Sequence, residues 1–290
     1  MFPPHKVTHS GELLEYLFEA WPEVKKKKIR EWLKYKMIQV NGTITSQFNH
    51  PLNPGDTITI RDNHFAVAGT KLPSGMRILH EDEHILVIEK PEKLLTIASE
   101  KVRDRTAYFF LNEYLREGAP RSTNRVWIVH RLDRDTSGLM IFAKTEKAKI
   151  ALQQNWDKVE KKYFAVVEGT PPHPTGTLKT YLNEDDPGKV YVARNEDEGR
   201  LAITHYRLLK KNDQHSLLEV TLETGRRHQI RVQLAAAGCP IIGDEKYNKS
   251  KKNPVRRLAL HACALNFPHP ETGEPMKFQS TLPGEFGMLI

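Results

Sequence analysis

The sequence predicts an α+β protein, with a small N-terminal αα/β module and a larger domain built on a mixed, mostly antiparallel sheet. Three observations carry that prediction. The 290 residues exceed the roughly 100–200 residues of one domain. Gly69, Pro73, Ser74 and Gly75 punctuate a linker at 66–76, which sets the domains at 1–65 and 77–290. Beyond that linker, strand and helix signals mix without a simple βαβ alternation.

The N-terminal elements follow in order. Leu13, Leu14, Leu17 and Phe18 recur at helical spacing and predict a helix from about Gly11 to Ala20. Pro22 punctuates the chain before a second helix, about Lys25 to Lys36, whose apolar stripe is Ile29, Trp32 and Leu33. Met37 to Val40 reads as a strand, Asn41-Gly42 as a hairpin turn, Pro54-Gly55-Asp56 as a second turn, and Thr57 to Ile60 as an alternating strand.

In the larger domain, the continuous apolar run Ile85 to Ile88 predicts a buried strand that stops at Lys90-Pro91. Helices are expected over 106–117 and from Glu146 to about Trp156. Further strands are expected at Leu139 to Phe142, Tyr163 to Val167, Leu217 to Leu222 and Leu258 to Leu265.

Composition narrows the function classes. Cys239 and Cys263 form neither a framework nor a CxxC pair, which fits a reduced, cytoplasmic setting. No apolar run approaches the ~18 residues of a membrane span, so no membrane association is expected, and a monomer is the default. The net charge of +8 favours a polyanionic partner, since each phosphate contact releases counterions. Within the second helix, Lys25, Lys26, Lys27, Lys28, Arg30, Lys34 and Lys36 stand against only Glu23 and Glu31. A solvated helix face is the plain reading of such a run. In a basic protein, beside a hairpin, a phosphate-binding face is the preferred one.

The order of these elements resembles the small RNA-binding domain named after ribosomal protein S-four. Gln39-Val40-Asn41-Gly42 matches that family's "VNG" strand-turn, and Pro54-Gly55-Asp56 its "PGD" turn. Lys25 to Lys28 stand where the family begins its second helix with a Ser-Arg type sequence, a departure that keeps the positive charge.

Three constellations carry the chemistry. The first is His130-Arg131-Leu132-Asp133-Arg134-Asp135-Thr136-Ser137-Gly138, a polar loop between the apolar stretches 126–129 and 139–143. Loops held by rigid strands are where catalytic groups are placed, and flanking guanidinium groups keep a carboxylate ionised. A plain β-turn of Asp, Thr, Ser and Gly explains the same spacing equally well. The nine residues, however, resemble at every fixed position the H-R-L-D-x-x-T-S-G signature of RluA-type RNA pseudouridine synthases. That resemblance implies that Asp133 is the catalytic aspartate and Arg131 the side chain that fills the stack left by a flipped base. Asp135 falls at a variable position and is read as structural.

The second constellation, Lys161 to Gly169, is similar to the family's K-x-Y-x-A-x-V-x-G strand, which implies that Tyr163 packs against the target base. The third is Thr224-Gly225-Arg226-Arg227-His228-Gln229-Ile230-Arg231, followed by a Gly238-Cys239-Pro240-Ile241-Ile242-Gly243-Asp244 run. Gly225 is expected to turn strand into helix and Gly238 to cap the helix C-terminus. Ile230, Leu234 and Ala237 are expected as its core stripe, with Arg227 and Arg231 on one face. A basic surface helix is the plain reading. The resemblance instead implies that Arg231 pairs with Asp133 and that Arg226 contacts RNA backbone or supports the loop. One departure lies at Glu92-Lys93, where the family commonly has Ala-Gly.

The resemblance implies isomerisation of uridine in ribosomal or transfer RNA, with no cofactor and no metal. His228, Cys239, His261 and Cys263 lack the close ligand pairs of a zinc site, and no phosphate-loop or nucleophile-elbow motif occurs. Two rivals belong to other classes: a non-catalytic RNA-binding or assembly protein, and a carboxylate glycosidase, for which paired acids are wanting.

Overall fold

In the computed structural model, which describes residues 3–34, 37–60, 72–98, 102, 104–116, 124–250 and 253–290, the chain divides into two units, Met1–Gly69 and Thr70–Ile290. Most of the expected linker at 66–76 lies outside the described residues.

The first unit places helices Leu13–Ala20 and Lys26–Lys34 beside a four-stranded antiparallel sheet ordered His5–Lys6, Thr57–Ile60, Ile38–Val40, Thr43–Ile44. Leu13 and Leu17 are buried with Ile29, Trp32 and Leu33 against Ile38, Val40 and Ile58. Leu14 and Phe18 are only half-buried, so the first helix is narrower in its apolar face than its spacing suggested. The two turns lock onto each other. Asn41 takes φ 50° and Gly42 φ 79°, the left-handed pair a tight hairpin needs. The Asn41 amide donates to Asp56 at 2.7 Å and its carbonyl accepts from the Thr57 N–H at 2.9 Å. The Asn53 N–H also donates to Asp56, and these hydrogen bonds hold that carboxyl below its ordinary range.

The second unit is an α+β domain on an 11-stranded sheet. Its main path runs Tyr191–Val192, Thr175–Asn183, Arg200–Lys211, His215–Leu222, Glu160–Glu168, Leu260–Pro268, Ser137–Ala143, Ile85–Lys90 and Arg77–Glu81. Pro275–Gln279 and Trp127–Ile128 attach off this path. Every pairing between these strands is antiparallel except one, where Ser137 and Gly138 run parallel to His261 and Ala262. The strand Ser137–Ala143 is buried along its whole length, because alternate residues serve two cores. Met140 and Phe142 pack with Leu86 and Ile88, while Leu139 and Ile141 pack with Ile85 and Val87 on the other face. Burial on both faces is why this segment reads as a continuous apolar run rather than an alternating one.

The parallel junction depends on Gly138. Its φ is 112°, and a Cβ there would lie 2.2 Å from the Ala262 carbonyl oxygen. Backbone strain and overpacking each cost about 1–3 kcal/mol. Gly138→Ala is therefore expected to destabilise the second unit by roughly 2–6 kcal/mol. Urea unfolding measures it, and a change below about 1 kcal/mol would contradict the packing described here.

Candidate active site

The loop 130–136 leaves the core between two buried strands and is fixed at several points. Leu132 is buried, donates its N–H to Thr96 Oγ1 and accepts the Thr96 hydroxyl at its carbonyl. Lys90, fully buried, donates its ammonium to the carbonyls of Pro91, Leu94 and Arg134 at 2.8, 2.8 and 3.1 Å. Burial presses the Lys90 pKa down to about 7, against the opposing pull of Asp133 and Asp135. His130 packs on Trp156 and accepts the Ile141 N–H; burial lowers its pKa to about 3, so the ring is neutral.

Onto this loop the helix Gln229–Ala236 brings Arg231, 98 residues away in sequence. Arg231 Nη1 donates to Asp133 Oδ2 at 3.0 Å. Its Nε and Nη2 donate to the two oxygens of Asp244 at 2.7 and 2.8 Å. The guanidinium is 6% exposed and Asp244 is fully buried. Asp133 Oδ1 accepts no hydrogen bond from a described residue, so it is the oxygen left open to a ligand. His228 Nε2 approaches Asp133 Oδ2 at 3.8 Å, while its Nδ1 meets the Tyr247 hydroxyl at 2.7 Å. That hydroxyl also accepts the Val190 N–H at 2.9 Å, which fixes its position beside the imidazole. Burial lowers the His228 pKa to about 4, so the ring is neutral near pH 7.

Two cavities meet at Asp133. One, of about 300 Å³, is lined by Tyr163, Leu222, Ile230 and Leu260 along with Asp133 and Arg231. Tyr163 is buried, and its hydroxyl has no hydrogen-bond partner among the described residues. Burial, then the Asp133 charge, raises its pKa, so the phenol is un-ionised. The second cavity, about 710 Å³, is walled by Glu184, Asp185, Asp197 and Arg200. Arg131 is exposed and lines both, with no described partner.

The geometry thus brings Asp133, Arg131, Tyr163 and Arg231 together. Asp135 pairs with Arg134 at 2.9 Å. Arg226 donates its Nε to the Leu201 carbonyl at 3.0 Å and supports the turn, with its side chain lining both cavities. Arg227 precedes the helix rather than sharing a face with Arg231. It donates to the carbonyls of Pro187, Glu184 and Asp186, closing the 184–189 loop. The left-handed residue before the helix is His228, at φ 53°, not Gly225; Gly238, at φ 80°, ends it as expected.

The core stripe also differs, because Ala237 is exposed and the helix is buried nearly all round. Gln229 and Gln233 satisfy their amides on sheet carbonyls and on Thr204 and Thr180, which lets polar residues face the core. Sequence alone does not mark Asp244, His228 and Tyr247 as site residues, although Asp244 closes the run from Gly238 and His228 stands beside Arg231's helix. On the first unit, Lys25 to Lys28 and Arg30 are exposed, with Lys26 and Arg30 each 5.2 Å from the Phe18 ring centre. The side chain of Lys34 and all of Lys36 lie outside the described residues.

The profile of the RNA pseudouridylate synthase family matches residues 84–236. The Bacillus subtilis protein named Uncharacterized RNA pseudouridine synthase YlyB is 33% identical over 97% of this chain and 93% of its own. Ribosomal large subunit pseudouridine synthase D of Xanthomonas campestris pv. campestris is 34% identical over 94% of this chain and 86% of its own. Among solved structures, Human RNA Pseudouridylate Synthase Domain Containing 4 superposes with a TM-score of 0.62 at 26% identity, covering 72% of this chain and 90% of that one.

The buried neutral histidines give the domain a pH signature. His261 donates and accepts between Ser137 and Ser280, and burial holds its pKa at about 4, below the ~6.5 of an unfolded chain. The unfolded state therefore takes up protons first as pH falls, and stability present above pH 6.5 is lost down to about pH 4. His130 and His228 have the same sign. The denaturation midpoint should fall through this window, with His261 alone adding up to about 1.4 kcal/mol per pH unit. His261→Gln should flatten the decline; a flat profile in the parent protein would contradict it.

Proposed function

Because the chain belongs to the RNA pseudouridylate synthase family and is an RNA pseudouridine synthase, we propose that it isomerises specific uridines of structured ribosomal RNA, with Asp133 as the catalytic carboxylate. In this reaction the nitrogen–carbon glycosidic bond breaks, the uracil rotates, and its carbon 5 bonds to carbon 1′ of the ribose. Carbon 5 then gives up its proton and nitrogen 1 gains one, so the product is an isomer with no net change in atoms or electrons. The observation that carries the reading is a carboxylate with one oxygen anchored on Arg231 at 3.0 Å and the other open, beside the Tyr163 cavity.

The target uridine is flipped out of the RNA, at a cost of a few kcal/mol that is smaller in a loop or bulge than in a duplex. Its uracil stacks on Tyr163 within the 300 Å³ cavity, and the exposed Arg131 fills the space left behind. Asp133 then acts as nucleophile at the ribose or as the base that removes a ribose proton. Arg231, only 6% exposed, supplies the counter-charge in both cases. The first unit acts as an RNA-binding domain of the S-four type. Its support is the exposed run Lys25 to Lys28 with Arg30; in sequence the cations Lys34 and Lys36 follow. Ribosomal RNA is favoured over transfer RNA because a 34% identical relative is named for the large ribosomal subunit.

Asp133→Asn is expected to retain RNA affinity within about threefold and to lose pseudouridine formation. The check is to incubate unmodified ribosomal RNA with each protein and map pseudouridine at nucleotide resolution. Clear turnover by Asp133→Asn would remove the carboxylate from its role. No new pseudouridine with the unaltered protein would favour a protein that only binds RNA.

A further inference from the structure

A third cavity, of about 380 Å³, has Arg231 in its wall but opens among residues that the proposed reaction does not use. Its cations divide into two sets. Arg231 and Arg257 are buried and spent: Arg231 on Asp133 and Asp244, Arg257 on Glu92 at 3.2 Å and Glu285 at 2.9 Å. Arg134 is exposed but paired with Asp135 at 2.9 Å, while Lys93, Lys246 and Arg256 are exposed with no ion pair among the described residues. Against them, Glu92 and Asp135 are already paired with arginines, which leaves Glu245 as the one wall carboxylate without an ion pair among the described residues. The wall therefore carries surplus positive charge. The described residues 246–250 and 253–257 hold four Lys and Arg and no Asp or Glu.

The backbone adds an independent observation. Among the described residues, four non-glycine residues have positive φ: Asn41, Lys93, His228 and Arg256. Asn41 sits in a hairpin turn and His228 beside Asp133. The other two, Lys93 at φ 61° and Arg256 at φ 56°, line this cavity together. Left-handed backbone strains a long side chain in a way that glycine avoids. Neither side chain offsets that strain by packing, since both are exposed. Long cations held in strained backbone around one concavity are the arrangement expected of an anion site, in which the strain serves binding rather than folding.

We propose that this cavity is a subsite for a backbone phosphate of the substrate RNA, held chiefly by Lys93 and Arg256, with Arg134 at its edge. It rests on the reading that the substrate is RNA. Because Arg134 and Asp135 belong to the same loop as Asp133, a phosphate here fixes the strand's path at a set distance from the flipped nucleotide. The subsite therefore contributes to affinity and register rather than to base identity.

The test uses substitutions that remove charge and relieve strain together. Lys93→Gly and Arg256→Gly keep the left-handed backbone, so folding is retained, and urea unfolding checks it. The probe is large-subunit ribosomal RNA transcribed without modification, and the control is the double variant Lys210→Ala, Lys211→Ala, which removes two exposed charges that do not line the cavity. The double-glycine variant is expected to bind at least tenfold more weakly than wild type. Its plot of log affinity against log salt is expected to be shallower by about 1–2, the change from one or two lost phosphate contacts. The control should shift affinity less than threefold. If the wild type makes pseudouridine and the double-glycine variant matches it in affinity and salt slope, or loses no more than the control, the subsite is overturned while the function stands. If the wild type makes none, the proposed function itself fails.

Discussion

Taking an arginine out of water costs several kcal/mol unless every donor is met, and Arg231 is met by two carboxylates at once. Asp244 takes Nε and Nη2 in a two-pronged grip, and Asp133 takes Nη1. The grip is itself anchored, because Asp244 Oδ1 also accepts the N–H groups of Lys246 and Tyr247. A bidentate pair fixes the plane of the guanidinium, so the direction of Nη1, and with it the orientation of Asp133, is set by a residue that never faces the cavity. The two negative charges hold Arg231 more firmly in its charged form than an ordinary arginine. Tyr247, three residues on, sends its hydroxyl to His228 on the other side of Asp133. One short segment, 244–247, thus supports both neighbours of the carboxylate.

The sheet makes that geometry reproducible. Asp133 lies four residues before Ser137, where the single parallel pairing of the path begins. Ser137 hydrogen-bonds His261 at 2.7 Å and receives Arg257, and His261 continues through Ser280 to Glu89. This chain of satisfied polar groups crosses from Ser137–Ala143 through Leu260–Pro268 to Ile85–Lys90. Buried networks of this kind rigidify when fully satisfied. The loop consequently leaves a rigid floor, and Lys90 ties its far side to the Pro91–Leu94 turn.

How much of this was legible depended on the kind of signal each element carries. Ile85–Lys90 and Ser137–Ala143 are buried on both faces and announce themselves as apolar runs. Thr175–Asn183 and Arg200–Lys211, near one edge of the sheet, bury only alternate residues such as Ala202, Thr204 and Tyr206, and their polar sequences gave little to read. The helix Gln229–Ala236 was expected to be amphipathic. Burial of Gln229, Arg231 and Gln233 depends on hydrogen bonds to distant strands, which periodicity cannot reveal. At the site, Asp133, Tyr163 and Arg231 were accessible through a family resemblance, and their meeting in space follows from it. Asp244 and Tyr247 were not, because a carboxylate and a phenol that act through another side chain leave no spacing rule of their own.

The central claim is that Asp244, acting through Arg231, aims Asp133. The most direct measurement is pseudouridine formation by Asp244→Asn on unmodified ribosomal RNA, alongside RNA affinity and a folding check at the same temperature. The account predicts a folded protein with RNA affinity near wild type and turnover reduced about a hundredfold, the scale set by misplacing a reacting group by about 1 Å. Turnover within threefold of wild type in a folded Asp244→Asn protein would contradict it.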